Sequence, residues 1–254
     1  MKFGLVSVSF RALSCEEIIR ITKESGLDGI EWGGDVHVPP DNPDNAKNVA
    51  SLMKEAGLLT SAYGSYYRAG TYGENYMEEF KKVLDTAVIL GAPVIRIWAG
   101  NKGSKKISTE KRKEIVSECV EIAKAAQKEN ITVSFECHIN TLTDNHISAV
   151  QLMKETGREN LRMYWQPSEY RSRRYNLEAL ENIMPYLTNV HVFNWPLPAV
   201  KLPLKNAEKE WKNYFSLISS DGKEHWCSLE FMPDGKPKSL PKEAEAMKEI
   251  YSNI

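Results

Sequence analysis

Cysteine is scarce in this sequence, and long apolar runs are missing. The chain of 254 residues has four cysteines, and no two of them form a Cys-x-x-Cys pair. This argues against a zinc-thiolate cage and a disulfide framework, and it predicts reduced thiols in a cytoplasmic protein. Met1 and Lys2 lead directly into FGLVSVSF, which is too short for a signal-peptide core or a membrane span.

An excess of charge of one sign is also missing. The chain has 33 Lys and Arg residues against 34 Asp and Glu residues, a formal net charge of −1. This balance gives no sign of a nucleic-acid partner or an anionic membrane partner. No GxGxxG or Walker loop follows the first apolar run, so the usual dinucleotide and P-loop signatures are absent as well.

Strand-like and helix-like segments alternate from one end of the chain to the other. The strand candidates are Phe3–Phe10, Gly29–Trp32, Leu58–Tyr63, Pro93–Trp98, Ile131–Glu136, Leu161–Gln166, Asn189–Asn194 and Trp226–Phe231. They begin roughly 25 to 38 residues apart, which is the size of one βα unit. Ser14 and Glu17 form a capping-box pattern, and Thr109–Asn130 has an apolar face, as expected of the intervening helices.

This alternation predicts parallel strands, in either a closed barrel or an open doubly wound sheet. Polar residues recur at the carboxyl ends of most strand candidates, and in a barrel those ends meet at one face. No linker or change of composition divides the chain. We therefore predict an α/β fold, a single-domain (β/α)8 TIM barrel over residues 1–254.

Four polar residues at the ends of the last four strands are expected to point inward together. Alternation along each strand puts Glu136, Gln166, His191 and Glu230 on the barrel side. Two carboxylates, one imidazole and one amide oxygen suit a divalent cation such as Mn²⁺, Mg²⁺, Co²⁺ or Zn²⁺. Such a site would leave coordination positions open for substrate oxygens.

Further residues near the same mouth are predicted to contact a substrate. They are Glu31, His37, Trp98, His138 and Trp195. The tryptophans would form apolar walls, although aromatic core packing explains them equally well. His138 follows Glu136 by two residues and would hold a substrate hydroxyl, with an ordinary loop histidine as the alternative. His37 would order its loop or touch the ligand.

Other charged residues carry weaker signals. Arg96 shares the face of Trp98 and would need an acidic partner such as Glu31 or Glu136 inside a barrel. The arginines at positions 171, 173 and 174 are either a solvated face or a phosphate contact. The histidines at positions 146 and 225 are expected to be structural or exposed.

The chain resembles the xylose isomerase-like TIM barrels, the sugar phosphate isomerase/epimerase group that also includes endonuclease IV. The segments that carry this resemblance are FGLVSVSF, GLDGIEWGGDVHVPP, APVIRIWAG, SFECHINTLTD, MYWQP, NVHVFNW and CSLEF. The resemblance implies metal ligands Glu, Asp, His and Glu on strands five to eight. Glu136, His191 and Glu230 match this pattern. Gln166 departs from it, as in a subgroup with glutamine at that position.

The resemblance implies a metal-dependent isomerase or epimerase of a ketose, an aldose or a related derivative, with or without a phosphate group. One divalent ion would acidify the C–H beside a carbonyl, with Glu136 and Glu230 as base and acid. The alternatives are a dehydratase or lyase with the same metal and glutamates, and a catalytically weak sugar-binding barrel in which Gln166 marks a lost metal. An endonuclease IV-like cluster would need more histidines than the five present. Relatives are often dimers or tetramers, so a homo-oligomer is compatible with the resemblance.

Overall fold

Strands and helices alternate along the chain in the computed structural model, which describes residues 1–168, 171–197 and 200–254. Within these residues the strands β1 to β8 are Lys2–Val6, Gly29–Gly33, Leu59–Ala69, Val94–Ala99, Thr132–Phe135, Leu161–Trp165, Leu187–Val192 and Trp226–Leu229. The α-helices α1 to α8 are Cys15–Glu24, Pro43–Ala56, Tyr76–Leu90, Thr109–Lys128, His146–Thr156, Arg173–Ile183, Glu208–Ser219 and Leu240–Ser252. Helices α1 to α7 each connect one strand to the next, and α8 follows β8.

The eight strands close into a barrel in which all pairings are parallel. Each strand pairs with the next one along the chain, and β8 pairs with β1 through the register Gly4–Ser228. This arrangement confirms the predicted (β/α)8 TIM barrel and excludes the open sheet. It also brings the carboxyl ends of all strands to one face, which we call the mouth.

The helices cover the barrel with one apolar side each. In α4 the predicted face is buried and includes Ile115, Cys119, Ile122 and Ala126. The capping box before α1 is present, with Ser14 Oγ accepting from the Glu17 backbone. All four cysteines lie in the described residues and are free thiols. Among the helices of the described residues, none is both long and apolar enough to cross a bilayer.

Two strands differ from their predicted extents at the mouth. The first strand ends at Val6, and Ser7–Phe10 forms a 3-10 helix. Its serine hydroxyls accept backbone hydrogen bonds from other loops, Ser7 from Gly33 at 2.9 Å and Ser9 from Phe231 at 2.8 Å. The third strand is longer than predicted and ends at Ala69. The first difference involves contacts with β2 and with the segment after β8, and the second involves pairing of Arg68 and Ala69 with Trp98 and Ala99 of β4. Local periodicity reports neither.

Gly64 provides room for charged side chains inside the barrel. A Cβ at this position would lie 2.6 Å from the Arg96 guanidinium and 3.0 Å from Glu31 Oε1. The first of these distances is shorter than non-bonded atoms allow. The glycine in β3 therefore leaves space for an ion pair between β2 and β4.

His225 lies at the opposite end of the barrel, just before β8. Its Nδ1 is 2.9 Å from the Thr188 carbonyl oxygen, and its Nε2 is 3.1 Å from Asp221 Oδ1. We expect His225→Ala to lower the free energy of unfolding by about 1–3 kcal/mol, because it removes a buried side chain and leaves a half-buried carbonyl without its donor. Metal binding and activity should not change. Urea unfolding and Mn²⁺ titration of both proteins check this, and a large loss of metal affinity at intact stability would contradict it.

Candidate active site

The four predicted metal ligands meet at the mouth. Glu136, Gln166 and Glu230 directly follow β5, β6 and β8, and His191 lies in β7. His191 Nδ1 is 2.9 Å from Gln166 Oε1 and 3.4 Å from Glu230 Oε2. It is 3.9 Å from Glu136 Oε1. Parallel pairing explains this convergence, because each side chain leaves the barrel wall at the same level.

This donor set fits a divalent cation. One ligand atom each from Glu136, His191 and Glu230 lies within 4.8 Å of the others, and all three residues are buried. Metal–ligand bonds of about 2.1 Å separate neighbouring ligand atoms by about 3 Å and opposite ones by about 4 Å. Carboxylate, imidazole and amide donors suit Mn²⁺, Mg²⁺, Co²⁺ or Zn²⁺. These residues could therefore hold one such ion with little movement.

A network beneath the ligands orients His191. Its Nε2 lies 3.1 Å from Glu31 Oε2, which also accepts from the Tyr164 hydroxyl at 3.0 Å. The side-chain amide of Asn189 donates to the same hydroxyl oxygen at 2.9 Å. A carboxylate beside Nε2 keeps the proton on that nitrogen and leaves Nδ1 as the ligand atom. The network thus directs Nδ1 toward the other three ligands.

Arg96 joins two of the carboxylates, as the sequence predicted for a buried arginine. Its Nε donates to Glu31 Oε1 at 2.6 Å, and its Nη1 donates to Glu136 Oε2. The Trp98 indole N–H donates to the same Glu136 oxygen at 2.7 Å. The Oε2 atom of Glu136 is therefore held by the protein, and Oε1 is the oxygen nearer His191.

Two residues predicted to contact substrate are buried and engaged by other side chains or by backbone. Glu31 is 1% exposed, and both of its oxygens are engaged by Arg96, Tyr164 and His191, contacts that favour support of His191. His37 is buried, with Nε2 3.2 Å from the Leu13 carbonyl oxygen and its ring packed against Trp32. These contacts favour the loop-ordering alternative for His37.

The remaining predicted contacts surround the mouth. His138 and Trp195 line a cavity together with Gln166. The His138 ring lies 5.2 Å from Trp98, and Trp195 packs 5.3 Å from Phe231. Their substrate contacts remain predictions. In the arginine run after β6, Arg173 pairs with Glu210 and Arg171 lies over the Tyr175 ring, so the phosphate contact also stays a prediction.

Tyr66 and Phe231 are mouth residues that sequence reasoning missed. Tyr66 has φ +61° and packs edge-on against Trp98 at 5.0 Å, and Phe231 follows Glu230 with φ +56°. Positive φ is costly for aromatic residues and concentrates at functional sites. Phe231 is the last residue of the CSLEF motif, so the sequence could have indicated it. No local signal indicates the bend at Tyr66.

Burial and charge shift the acidities within the site. Burial alone would raise the pKa of Glu31, but the charges of His191 and Arg96 outweigh it and hold that pKa at about 2. Burial raises the pKa of Glu230 to about 7. Burial disfavours the charged form of His191, but the carboxylates of Glu230 and Glu31 raise its pKa to about 9. Without a metal, His191 therefore holds a proton that a cation must displace.

This proton predicts how metal affinity depends on pH. Below pH 9 a cation must displace one proton from His191, and below pH 7 it must displace a second from Glu230. Mn²⁺ affinity should therefore rise about tenfold per pH unit between pH 7 and pH 9, and more steeply below pH 7. Calorimetry in buffers of different ionisation enthalpy measures the protons released. Flat affinity without proton release would contradict His191 as a ligand.

Comparison with known proteins places this geometry in a family. A family model described as xylose isomerase-like TIM barrel matches residues 19–250. A 3-dehydroshikimate dehydratase of Bacillus anthracis is 28% identical over 169 residues, which are 64% of this chain and 60% of that protein. The match thus spans less than two thirds of that relative's length.

Two solved structures share the fold over nearly the whole chain. The probable 3-DHS dehydratase AsbF of Bacillus anthracis superposes with a TM-score of 0.81 at 20% identity, covering 98% of this chain and 99% of that one. The 3-keto-D-glucoside 4-epimerase YcjR of E. coli has a TM-score of 0.75 at 17% identity and covers 99% of each chain. The family match, the closed barrel and the ligand geometry agree, and the chain belongs to the xylose isomerase-like TIM barrel family.

Proposed function

We propose that this protein is a metal-dependent isomerase or epimerase of a hydroxylated carbonyl compound of the sugar type. The observation that supports this most is the pair of carboxylates at the mouth. Glu136 and Glu230 directly follow β5 and β8, and their carboxylate oxygens lie 3.9 Å and 3.4 Å from His191 Nδ1. Two carboxylates around one bound substrate can remove a proton from carbon and return it at another position.

The two glutamates have different surroundings, which supports different roles. Glu136 Oε2 accepts hydrogen bonds from Arg96 and Trp98, so this carboxylate is fixed and suited to be a ligand. Glu230 makes its one ionic contact within the described residues with His191. The carboxylate that is held by fewer partners is the better suited of the two to take a proton from the substrate. We assign proton abstraction to Glu230 and the opposite side of the substrate to Glu136.

A divalent ion held by the four ligands would polarise the substrate carbonyl and so acidify the neighbouring C–H. Glu230 takes the proton from that carbon, and the electron pair moves toward the carbonyl oxygen. Return of a proton to the same carbon from the side of Glu136 inverts its configuration. Return to the adjacent carbon exchanges the carbonyl and hydroxyl positions. Arg96 and Trp98 keep Glu136 in place throughout.

A dehydratase is the second candidate, and His138 is the residue that favours it. The His138 ring lies 5.2 Å from Trp98, and its Nδ1 is 2.7 Å from the Ile139 carbonyl oxygen. Its Nε2 is then the atom available to protonate a leaving hydroxyl group. The 28% identical relative is named a dehydratase, which agrees with this option. Loss of water after proton abstraction at Glu230 would give a conjugated carbonyl product.

Deuterium exchange distinguishes these reactions. Mn²⁺-loaded protein is incubated in D₂O with ketoses, aldoses and keto acids, and each compound is followed by NMR and ultraviolet absorbance. We expect one compound to gain deuterium at the carbon beside its carbonyl, and chelation of the metal should stop the exchange. A new absorbance from a conjugated product would favour the dehydratase. Tight binding without proton exchange and without a new absorbance for any compound would refute both reactions and favour the sugar-binding barrel.

A further inference from the structure

Arg68 is a half-buried arginine at the mouth. Its guanidinium lies over the Trp98 ring, 4.1 Å from the ring centre, and Nη1 donates to the Gly100 carbonyl oxygen at 3.5 Å. No carboxylate of the described residues forms an ion pair with it. Arg11, which donates to the Tyr66 hydroxyl nearby, differs because it pairs with Asp35 at 3.0 Å. Arg68 therefore keeps an unbalanced positive charge at the mouth.

The extension of β3 brings Arg68 to this position. The pairing of β3 with β4 shifts between Gly64 and Arg68, where Tyr66 adopts its left-handed backbone. Beyond this bulge Arg68 stands beside Trp98 in register. The indole N–H of Trp98 donates a hydrogen bond to Glu136. One indole ring thus separates the Arg68 guanidinium from a ligand of the candidate metal.

The charges of the metal-loaded site leave the Arg68 cation without a counter-charge. The three carboxylates of Glu31, Glu136 and Glu230 are balanced by Arg96 and a divalent ion, with His191 neutral as a ligand. Gln166 adds no charge, where an aspartate would add a negative one. Lys201 adds a second cation on another wall, 4.5 Å from the centre of the Phe231 ring. Asp144, which lines the same cavity as His138, contributes one negative charge, so the two cations Arg68 and Lys201 still leave the metal-loaded mouth with net positive charge.

We propose that Arg68 binds a carboxylate of the substrate, so that the substrate is a sugar acid or a hydroxylated keto acid instead of a neutral sugar. This inference rests on the proposed function and adds the class of substrate. A guanidinium that lies over an indole directs its N–H groups outward in its own plane, where a planar carboxylate can accept hydrogen bonds from two of them. One guanidinium also balances one carboxylate charge, whereas a phosphate dianion needs two.

Binding measurements test this assignment without any need for turnover. Mn²⁺-loaded protein is titrated by calorimetry with D-galacturonate, D-glucuronate and 2-keto-D-gluconate, and with the neutral partners D-galactose, D-glucose and D-fructose. We expect at least one acid to bind more tightly than its partner. Arg68→Gln should weaken that acid at least about tenfold, or about 1.4 kcal/mol, and change the neutral sugar little. Arg68→Lys should retain part of the preference.

Arg20→Gln is the matched control, because Arg20 is exposed on α1 and, among the described residues, pairs with Glu24 alone, at 3.0 Å. It should bind acids and sugars like the wild type. The proposal is wrong if no acid binds more tightly than its partner, or if Arg68→Gln weakens both equally. If D-galactose 6-phosphate binds more tightly than the acids and this binding depends on Arg68, the group that Arg68 binds is a phosphate and the carboxylate assignment is wrong. If the protein exchanges protons on neutral ketoses and binds no acid more tightly than its neutral partner, only the carboxylate assignment is wrong. If it prefers an acid but exchanges no protons, only the proposed reaction is wrong.

Discussion

Glu230→Gln is expected to lower the rate of proton exchange by about 10²–10⁴-fold, the usual contribution of a general acid–base group. The amide keeps the shape of the side chain and an oxygen that can contact the metal, but it cannot accept a proton from carbon. The burial that raises the pKa of Glu230 to about 7 also indicates a fold that tolerates a neutral group there. The change should therefore leave the unfolding transition close to that of the wild type.

Glu224→Gln is the matched control for this experiment. Glu224 lies just before β8 at the opposite end of the barrel, where it is exposed and pairs with Lys2 at 2.9 Å. Both variants are compared by deuterium incorporation into the substrate that the exchange panel identifies, together with elemental analysis of bound metal. A Glu230→Gln protein with full activity and unchanged metal content would contradict the two-glutamate mechanism. Loss of activity in Glu224→Gln would show that the effect is not local.

Gln166→Asp is expected to bind a divalent metal at least about tenfold more tightly, or about 1.4 kcal/mol, because it adds a negative charge to the ligand set. Without metal the same charge repels Glu136 and Glu230, so the variant should be less stable when metal-free and gain more stability from Mn²⁺. Turnover should fall, because extra negative charge weakens the pull of the cation on the substrate carbonyl.

Gln166→Glu separates charge from reach in this comparison, since it keeps the length of the glutamine side chain. Calorimetric titration of Mn²⁺ into the three metal-free proteins measures the affinities, and thermal unfolding with and without Mn²⁺ measures the stabilisation. Equal affinities in all three proteins would show that residue 166 is not a ligand. If none binds a divalent ion at millimolar concentration, the metal site is wrong and the sugar-binding barrel becomes the better interpretation.

The barrel and the meeting of four polar side chains at its mouth could be predicted from the sequence because both follow from local repetition. Strand and helix periodicities recur in units of similar length, and eight such units close a barrel. Alternation within each strand then determines which side chains point inward. Glu136, Gln166, His191 and Glu230 all lie at strand ends, so parallel pairing was enough to bring them together. The partners of Arg96 followed from the cost of burying a lone charge.

Contacts between distant segments decided the rest. Alternation along β2 points Glu31 into the barrel, as expected of a substrate contact. Its position below His191 and its bond to Arg96 depend on the packing of β2, β4 and β7. The bulge at Tyr66 extends β3 and sets Arg68 on Trp98, and no local pattern marks a left-handed aromatic residue. The sequence by itself determined which polar residues lie at strand ends and point toward the mouth, because the spacing of the strands and the alternation of side chains within each strand are local properties. Only the tertiary structure decided how deep each of them lies and which side chains hold it, because depth and hydrogen-bond partners depend on strands far apart in the chain.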